Sequence, residues 1–184
     1  LGNDCRMDED LLMTEALKER LSGRPNKNLT LAVACEAMAD TGLLESLFSI
    51  LYGDSCPLQW RVAWVLEKVS RQHPSMLVKE RDRIGELAMC ADVSDGLRRL
   101  LLSILYNMPD AQEVNVKLYN FLLDVMIDFK SASGVQALAL KLARRISYVN
   151  KDLHEEFLCV VRNMELEYYS AGVRSVVRHC VKNR

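Results

Sequence analysis

The 184-residue sequence is poor in residues that interrupt a helix, with four prolines and eight glycines. Pro25, Pro57, Pro74 and Pro109, and every glycine except Gly85, fall near points where an apolar periodicity stops. Alternating Val/Thr/Tyr runs bounded by Asn-Gly turns are missing, which excludes a sheet-built fold. No apolar run approaches the ~20 residues that a membrane-spanning helix needs. Leu1 to Asp10 are polar and acidic, without a basic segment leading into an apolar one, so they do not read as a signal peptide. The six cysteines (Cys5, Cys35, Cys56, Cys90, Cys159, Cys180) form no CxxC, and the three histidines (His73, His154, His179) show no HxxxH or HExxH spacing. That pattern argues against a zinc site or disulfide framework and for reduced core thiols in a cytoplasmic protein.

Catalytic signatures are missing as well: there is no GxGxxG, no GxxxxGK[ST] and no GxSxG. The acidic runs Asp8-Glu9-Asp10 and Glu155-Glu156 lie near expected helix starts, where a carboxylate meets the positive end of the helix dipole. Asp124 and Asp128 are one turn apart but lack the further oxygen or nitrogen ligands a cation needs. No catalytic residue, metal ligand or cofactor is therefore assigned, and the expectation is a protein without enzymatic activity. With 49% apolar and 27% charged residues the chain is neither disordered nor membranous in composition, and a net charge of −1 argues against generic polyanion binding.

What is present is apolar residues recurring at three and four positions, the mark of one-sided helices. The periodicity predicts ten: Asp8–Leu21, Leu29–Ala39, Leu43–Tyr52, Leu58–Gln72, Ser75–Ala91, Asp95–Asn107, Gln112–Lys130, Gly134–Val149, Asp152–Glu167 and Ala171–Lys182. Ser94, Asp152 and Ser170 suit N-caps, and Pro57 and Pro74 suit first turns. Linkers this short make successive helices antiparallel neighbours.

The sequence also repeats. Gly96, Gly134 and Gly172 are 38 residues apart, each followed by an aliphatic residue, Leu97, Val135 or Val173. The same register aligns Val62, Leu100, Leu138 and Val176; then Ala63, Leu101, Ala139 and Val177; then Leu66, Ile104, Leu142 and Cys180. Offsets of one, four, five and eight from the glycine form one helical face, expected to be the buried one. The segments Cys56-Pro57-Leu58-Gln59-Trp60-Arg61-Val62-Ala63, Gly96-Leu97-Arg98-Arg99-Leu100-Leu101 and Gly172-Val173-Arg174-Ser175-Val176-Val177 resemble the inner helix of HEAT-like repeats. The resemblance covers about Gly42 to Asn183. It implies an all-α fold, an α-α superhelix (solenoid) of about five antiparallel helix pairs. Residues 1–41 would be an N-terminal segment and capping helix pair, and 42–184 four HEAT-like repeats. Two departures stand out: 38 residues is short of the usual ~40–47, and Gln136 occupies the place where neighbouring units have arginine. The 34-residue tetratricopeptide pattern does not match.

Charge separates by helix class. The four second helices carry twelve cations against Glu67 and Asp95, whereas their first helices and turns are net acidic. If second helices line the concave side, as the resemblance implies, that side is basic. The candidate partner-binding residues are Trp64, Lys68, Tyr106, Lys141, Arg144, Arg145, Arg178 and Lys182, with the Lys141, Arg144, Arg145 and Tyr148 cluster as the strongest group. The expected function is a non-catalytic scaffold or adaptor that binds a protein or acidic peptide. Competing readings remain open. Arg61, Arg98 and Arg174 could instead form a structural ladder to acidic groups of the adjacent unit, and Trp64, Leu102 and Leu140 could pack laterally between repeats. Nucleic-acid binding, or a DNA-glycosylase-like HEAT repeat enzyme using Trp60, Trp64 and Glu67, is the alternative from another class.

Overall fold

The computed structural model describes residues 2–53 and 56–182, and side chains for 11–53 and 57–181. Among the described residues there are ten α-helices and no strand. They are α1 Gly2–Ser22, α2 Lys27–Ala39, α3 Thr41–Gly53, α4 Cys56–Gln72, α5 Arg81–Met89, α6 Asp95–Asn107, α7 Val116–Ile127, α8 Ser133–Ser147, α9 Lys151–Arg162 and α10 Ala171–Lys182. Two 3₁₀ segments, Pro74–Glu80 and Leu166–Tyr168, complete the order. The chain divides into two compact units, Leu1–Lys79 and Glu80–Arg184.

Capping chemistry explains most boundaries, including those where periodicity overran. Ser94 accepts a hydrogen bond from the Leu97 N–H, and Ser170 accepts one from Val173. The cap of α9 is Asn150, whose side-chain oxygen takes the Asp152 N–H at 2.7 Å. Asp152, expected as the cap, lies in the first turn instead, where its charge suits the dipole. The expected helix 112–130 starts at Val116 because Asn115 caps it. It stops at Ile127, where the Asp128 carboxylate turns to the Lys130 N–H and the Ser131 hydroxyl. The expected helix 152–167 ends at Arg162, where the Asn163 amide bonds the Cys159 carbonyl. The expected helix 75–91 is a 3₁₀ segment followed by α5, opened by a three-residue closure from the Met76 N–H to the His73 carbonyl.

In the first unit α3 packs on α1, α2 and α4, and α4 also packs on α1 and α2. Leu47, Ile50 and Leu51 of α3 and Val62, Val65, Leu66 and Val69 of α4 are wholly buried. Each such side chain contributes roughly 1.5–3 kcal/mol of transfer free energy. Arg20 holds Glu36 by two bonds of 2.6 and 2.7 Å, tying the end of α1 to α2.

The second unit is organised around α8, which packs on α6, α7, α9 and α10. In addition α5 packs on α6 and α7, and α10 on α9. Ala139 and Ala143 of α8 are fully buried, and their small side chains permit neighbours on several sides. Helices α6, α8 and α10 thus lie side by side, each with its hairpin partner behind it.

The repeat columns behave unequally. Leu97, Val135 and Val173 are buried, as are Ala63, Leu101, Ala139 and Val177, and Leu66, Ile104, Leu142 and Cys180. In the fourth column Val62 and Leu100 are buried, but Leu138 and Val176 are half-exposed, which departs from the expected uniform core face. Leu102 and Leu140 are fully buried, so the lateral-packing reading applies to them.

The arginine pattern has a different cause from the one the sequence suggested. Arg98 donates from Nε and a terminal nitrogen to the Ala88 and Cys90 carbonyls, at 2.9 and 2.7 Å. Gln136 donates to the Asp128 carbonyl at 2.8 Å, and Gln59 donates to Leu51 at 3.0 Å. Each reaches back to the C-terminal end of the preceding helix, whose last carbonyls have no intrahelical partner. Gln136 therefore does the work of Arg98, and the departure from the arginine pattern is conservative in chemistry. Arg61 does something else. It donates to the Leu21 and Ser22 carbonyls at the end of α1, at 2.9 and 2.8 Å. Arg61 and Arg98 are structural, but their main acceptors are helix-end carbonyls rather than the acidic groups of an adjacent unit.

Candidate functional site

A groove of about 580 Å³ opens between the end of α6, the exposed flank of α8 and the facing flank of α10. Tyr106 enters from α6, Lys141, Arg144, Arg145 and Tyr148 from α8, and Val176, His179 and Cys180 from α10, together with Ser175. Among the described residues the lining holds three lysine or arginine side chains and one histidine, and no carboxylate.

The cations are not equivalent. Arg145 bonds the carbonyls of Tyr106 and Met108 and the carboxylate of Asp110, and its guanidinium lies 5.8 Å from the Tyr106 ring centroid. It closes the C-terminal end of α6 much as Arg61 closes α1, so its charge is largely engaged within the fold. Arg144 stands 5.6 Å over the Tyr148 ring, and its Nε is buried without a hydrogen-bond partner among the described residues. Lys141 is exposed. Burial pushes the Cys180 thiol up, opposed by the charge of Arg144, a hydrogen bond with Arg144 and the charge of Lys141, which places both cations beside this thiol. Tyr148 also stacks on His154 at 4.7 Å, and His154 Nδ1 meets the buried Ser147 hydroxyl at 3.0 Å, which stiffens the end of α8.

The other candidates are placed differently. Arg178 is exposed on α10 but is not part of the groove lining, and the side chain of Lys182 lies outside the described residues. Trp64 and Lys68 belong to the first unit. Trp64 is half-buried and packs on Trp60 at a ring separation of 5.4 Å, and Lys68 bonds Glu67 at 2.8 Å. Glu67 is itself buried between Lys68 and Arg71. Burial pushes its carboxyl up, but the hydrogen bonds from the two cations outweigh that and hold it below the ordinary carboxylate range. An acid so engaged is a structural ion pair rather than a poised proton carrier.

Sequence reasoning missed Ser175, Val176, His179 and Cys180. Neighbouring parallel helices present opposite flanks to a shared groove, so a column of equivalent positions finds only one wall. The signal for the other wall was the spacing 175, 176, 179 and 180, an i, i+1, i+4, i+5 stripe on α10.

Among the described residues no group of three or more His, Cys, Asp and Glu side chains could hold a metal ion, and no helix is long and apolar enough to cross a membrane. Stacked helix pairs, closed at their ends by side chains from neighbouring helices, define an α-hairpin repeat protein. The model of the HEAT repeat domain matches residues 17–184, and the chain belongs to that family of helical solenoids. Comparison with curated proteins and with solved structures gave no match.

Proposed function

We propose that this HEAT repeat protein is a non-catalytic scaffold whose α6–α8–α10 groove docks an acidic peptide segment of a protein partner. The observation that carries this is the lining itself: Lys141, Arg144, Arg145 and His179 converge with no carboxylate among them. A carboxylate entering beside Tyr148 would meet the guanidinium of Arg144 from the groove side and gain charge assistance from Lys141. Arg145 contributes potential while remaining bound to the end of α6. In this reading residues 42–184 are four repeats and the pair before them is a cap. Of the described cysteines Cys180 is a buried thiol, but Cys35, Cys90 and Cys159 are exposed, which corrects the expectation of core thiols; a cytoplasmic setting remains part of the proposal.

The test is fluorescence anisotropy with a labelled Glu/Asp-rich peptide at low salt, beside a nonspecific 20-base-pair DNA duplex. The expected result is peptide binding that weakens at least tenfold in the Lys141→Glu/Arg144→Glu variant and falls with added salt, with DNA no tighter than millimolar. Micromolar DNA binding with a steep salt slope would instead establish the groove as a phosphate-binding surface.

A further inference from the structure

A second surface of the Glu80–Arg184 unit has the opposite character. A pocket of about 730 Å³ lies where α7 and α9 end, and it shares no residue with the basic groove. Its base is set by Tyr169 and Met164, both buried. Tyr169 is fixed by a 3.1 Å bond from its hydroxyl to the Ile127 carbonyl. Its walls are Phe129 and Tyr168, which remain 62% and 64% exposed, with Ile127 beside them at 42%. Phe129 meets Tyr168 edge-on at 5.6 Å and Tyr169 at 5.1 Å, so the rings buttress one another rather than stand as separate surface residues. Folding that leaves two contiguous aromatic walls in water needs an explanation, because isolated apolar side chains are ordinary and organised patches are not.

The rim decides what would cover it. Glu165 is the one charged side chain among the described lining residues. Asp128 stands close by, since its charge and that of Glu165 both act on the Tyr169 hydroxyl, whose ionisation burial, first, and these two carboxylates push up. The site is therefore aromatic within, with Glu165 at its edge and Asp128, whose charge Lys130 partly offsets, beside it.

We infer that this pocket docks a basic–apolar segment of a protein partner: one large aliphatic or aromatic side chain seated against Phe129, Tyr168 and Tyr169, with a lysine or arginine beside it facing Glu165 and Asp128. Buried aromatic anchors supply most of the affinity at such surfaces, and the adjacent charge pair sets register and selectivity. The scaffold would then hold two segments of opposite charge in separate places.

The experiment is selection of a random 16-residue peptide library on the intact chain, followed by anisotropy with the enriched peptides. The expected result is enrichment of a large apolar residue with a lysine or arginine within two positions. Those peptides should bind Phe129→Ser/Tyr168→Ser at least tenfold more weakly and Glu165→Lys several-fold more weakly. They should still bind Lys141→Glu/Arg144→Glu normally, which separates failure here from failure of the basic groove. Phe129 and Tyr168 are exposed, so thermal unfolding of the double variant checks that the fold is intact; Glu165→Lys probes the rim without touching the rings. Enrichment of peptides without cations, binding indifferent to these variants, or no enrichment would overturn the inference. So would sedimentation showing that the wild-type chain is a dimer that Phe129→Ser/Tyr168→Ser converts to monomer, because a second copy would then be the occupant.

Discussion

Replacing Arg145 with alanine distinguishes a residue that builds the groove from one that uses it. The substitution removes guanidinium bonds to the Tyr106 and Met108 carbonyls and the ion pair with Asp110. The Asp110 pairing contributes little, about 0–1 kcal/mol, because that carboxylate is 73% exposed. The two carbonyl bonds come from a side chain only 28% exposed and close a helix end that water would otherwise have to satisfy. Charge-assisted bonds of this kind contribute about 1.5–3 kcal/mol when buried. Partial rehydration of the freed carbonyls reduces the sum, and about 2 kcal/mol remains. For a chain of this size that corresponds to a fall in Tm of about 4–8 °C. The assay is circular dichroism at 222 nm through thermal unfolding. Arg145→Lys should recover less than half of the loss, because an ammonium is a point donor and cannot span both carbonyls. Arg144→Gln should lower Tm by less than Arg145→Ala, since it gives up the stacking on Tyr148 and the contact with Cys180 but no helix-end carbonyl bond. An unchanged Tm in Arg145→Ala would refute the capping role, and a larger fall in Arg144→Gln than in Arg145→Ala would show that the two roles are exchanged.

Three further outcomes follow from the packing. Leu101→Ala should cost about 2–5 kcal/mol by leaving a cavity at a wholly buried position, while Leu138→Ala, half-exposed at the neighbouring register position of the next unit, should cost well under half of that in chemical denaturation. Gln136→Ala should cost about 1 kcal/mol by freeing the Asp128 carbonyl, and Gln136→Glu should cost more, because a carboxylate cannot donate to it. Tyr119 should ionise at about 12 in an ultraviolet pH titration of the folded protein, because burial and then the charge of Glu156 oppose its anion. Its unfolded value is near 10. The folded state thus retains the proton over that interval, and the contribution to stability is complete below about pH 10 and lost as pH rises towards 12. Tyr119→Phe should remove that part of the alkaline slope.

The fold was legible because burial imposes a period. Columns such as Ala63, Leu101, Ala139 and Val177 had to be apolar to meet a neighbouring helix, and the 38-residue spacing marked them as equivalent. Helix ends were less legible, since Asn115, Asn150 and Asn163 act through single side-chain bonds that leave no periodic trace. The arginines misled for a related reason. Arg98 and Gln136 share a donor role that residue identity hides, and Arg61 shares a role with Arg145 that repeat register does not show. In the groove, the α8 wall was recognisable as a run of cations, whereas the α10 wall, Ser175, Val176, His179 and Cys180, holds no lysine or arginine and acquires meaning only opposite Lys141 and Arg144. Nothing in the periodicity marked Phe129 and Tyr168, which lie beyond the ends of their helices.

Amide hydrogen exchange of the intact chain, with and without a saturating Glu/Asp-rich peptide, tests most directly where an acidic partner sits. Slowed exchange confined to 141–148 and 175–180 is the expected footprint. Slowed exchange at 60–68 with none on α8 and α10 would contradict it.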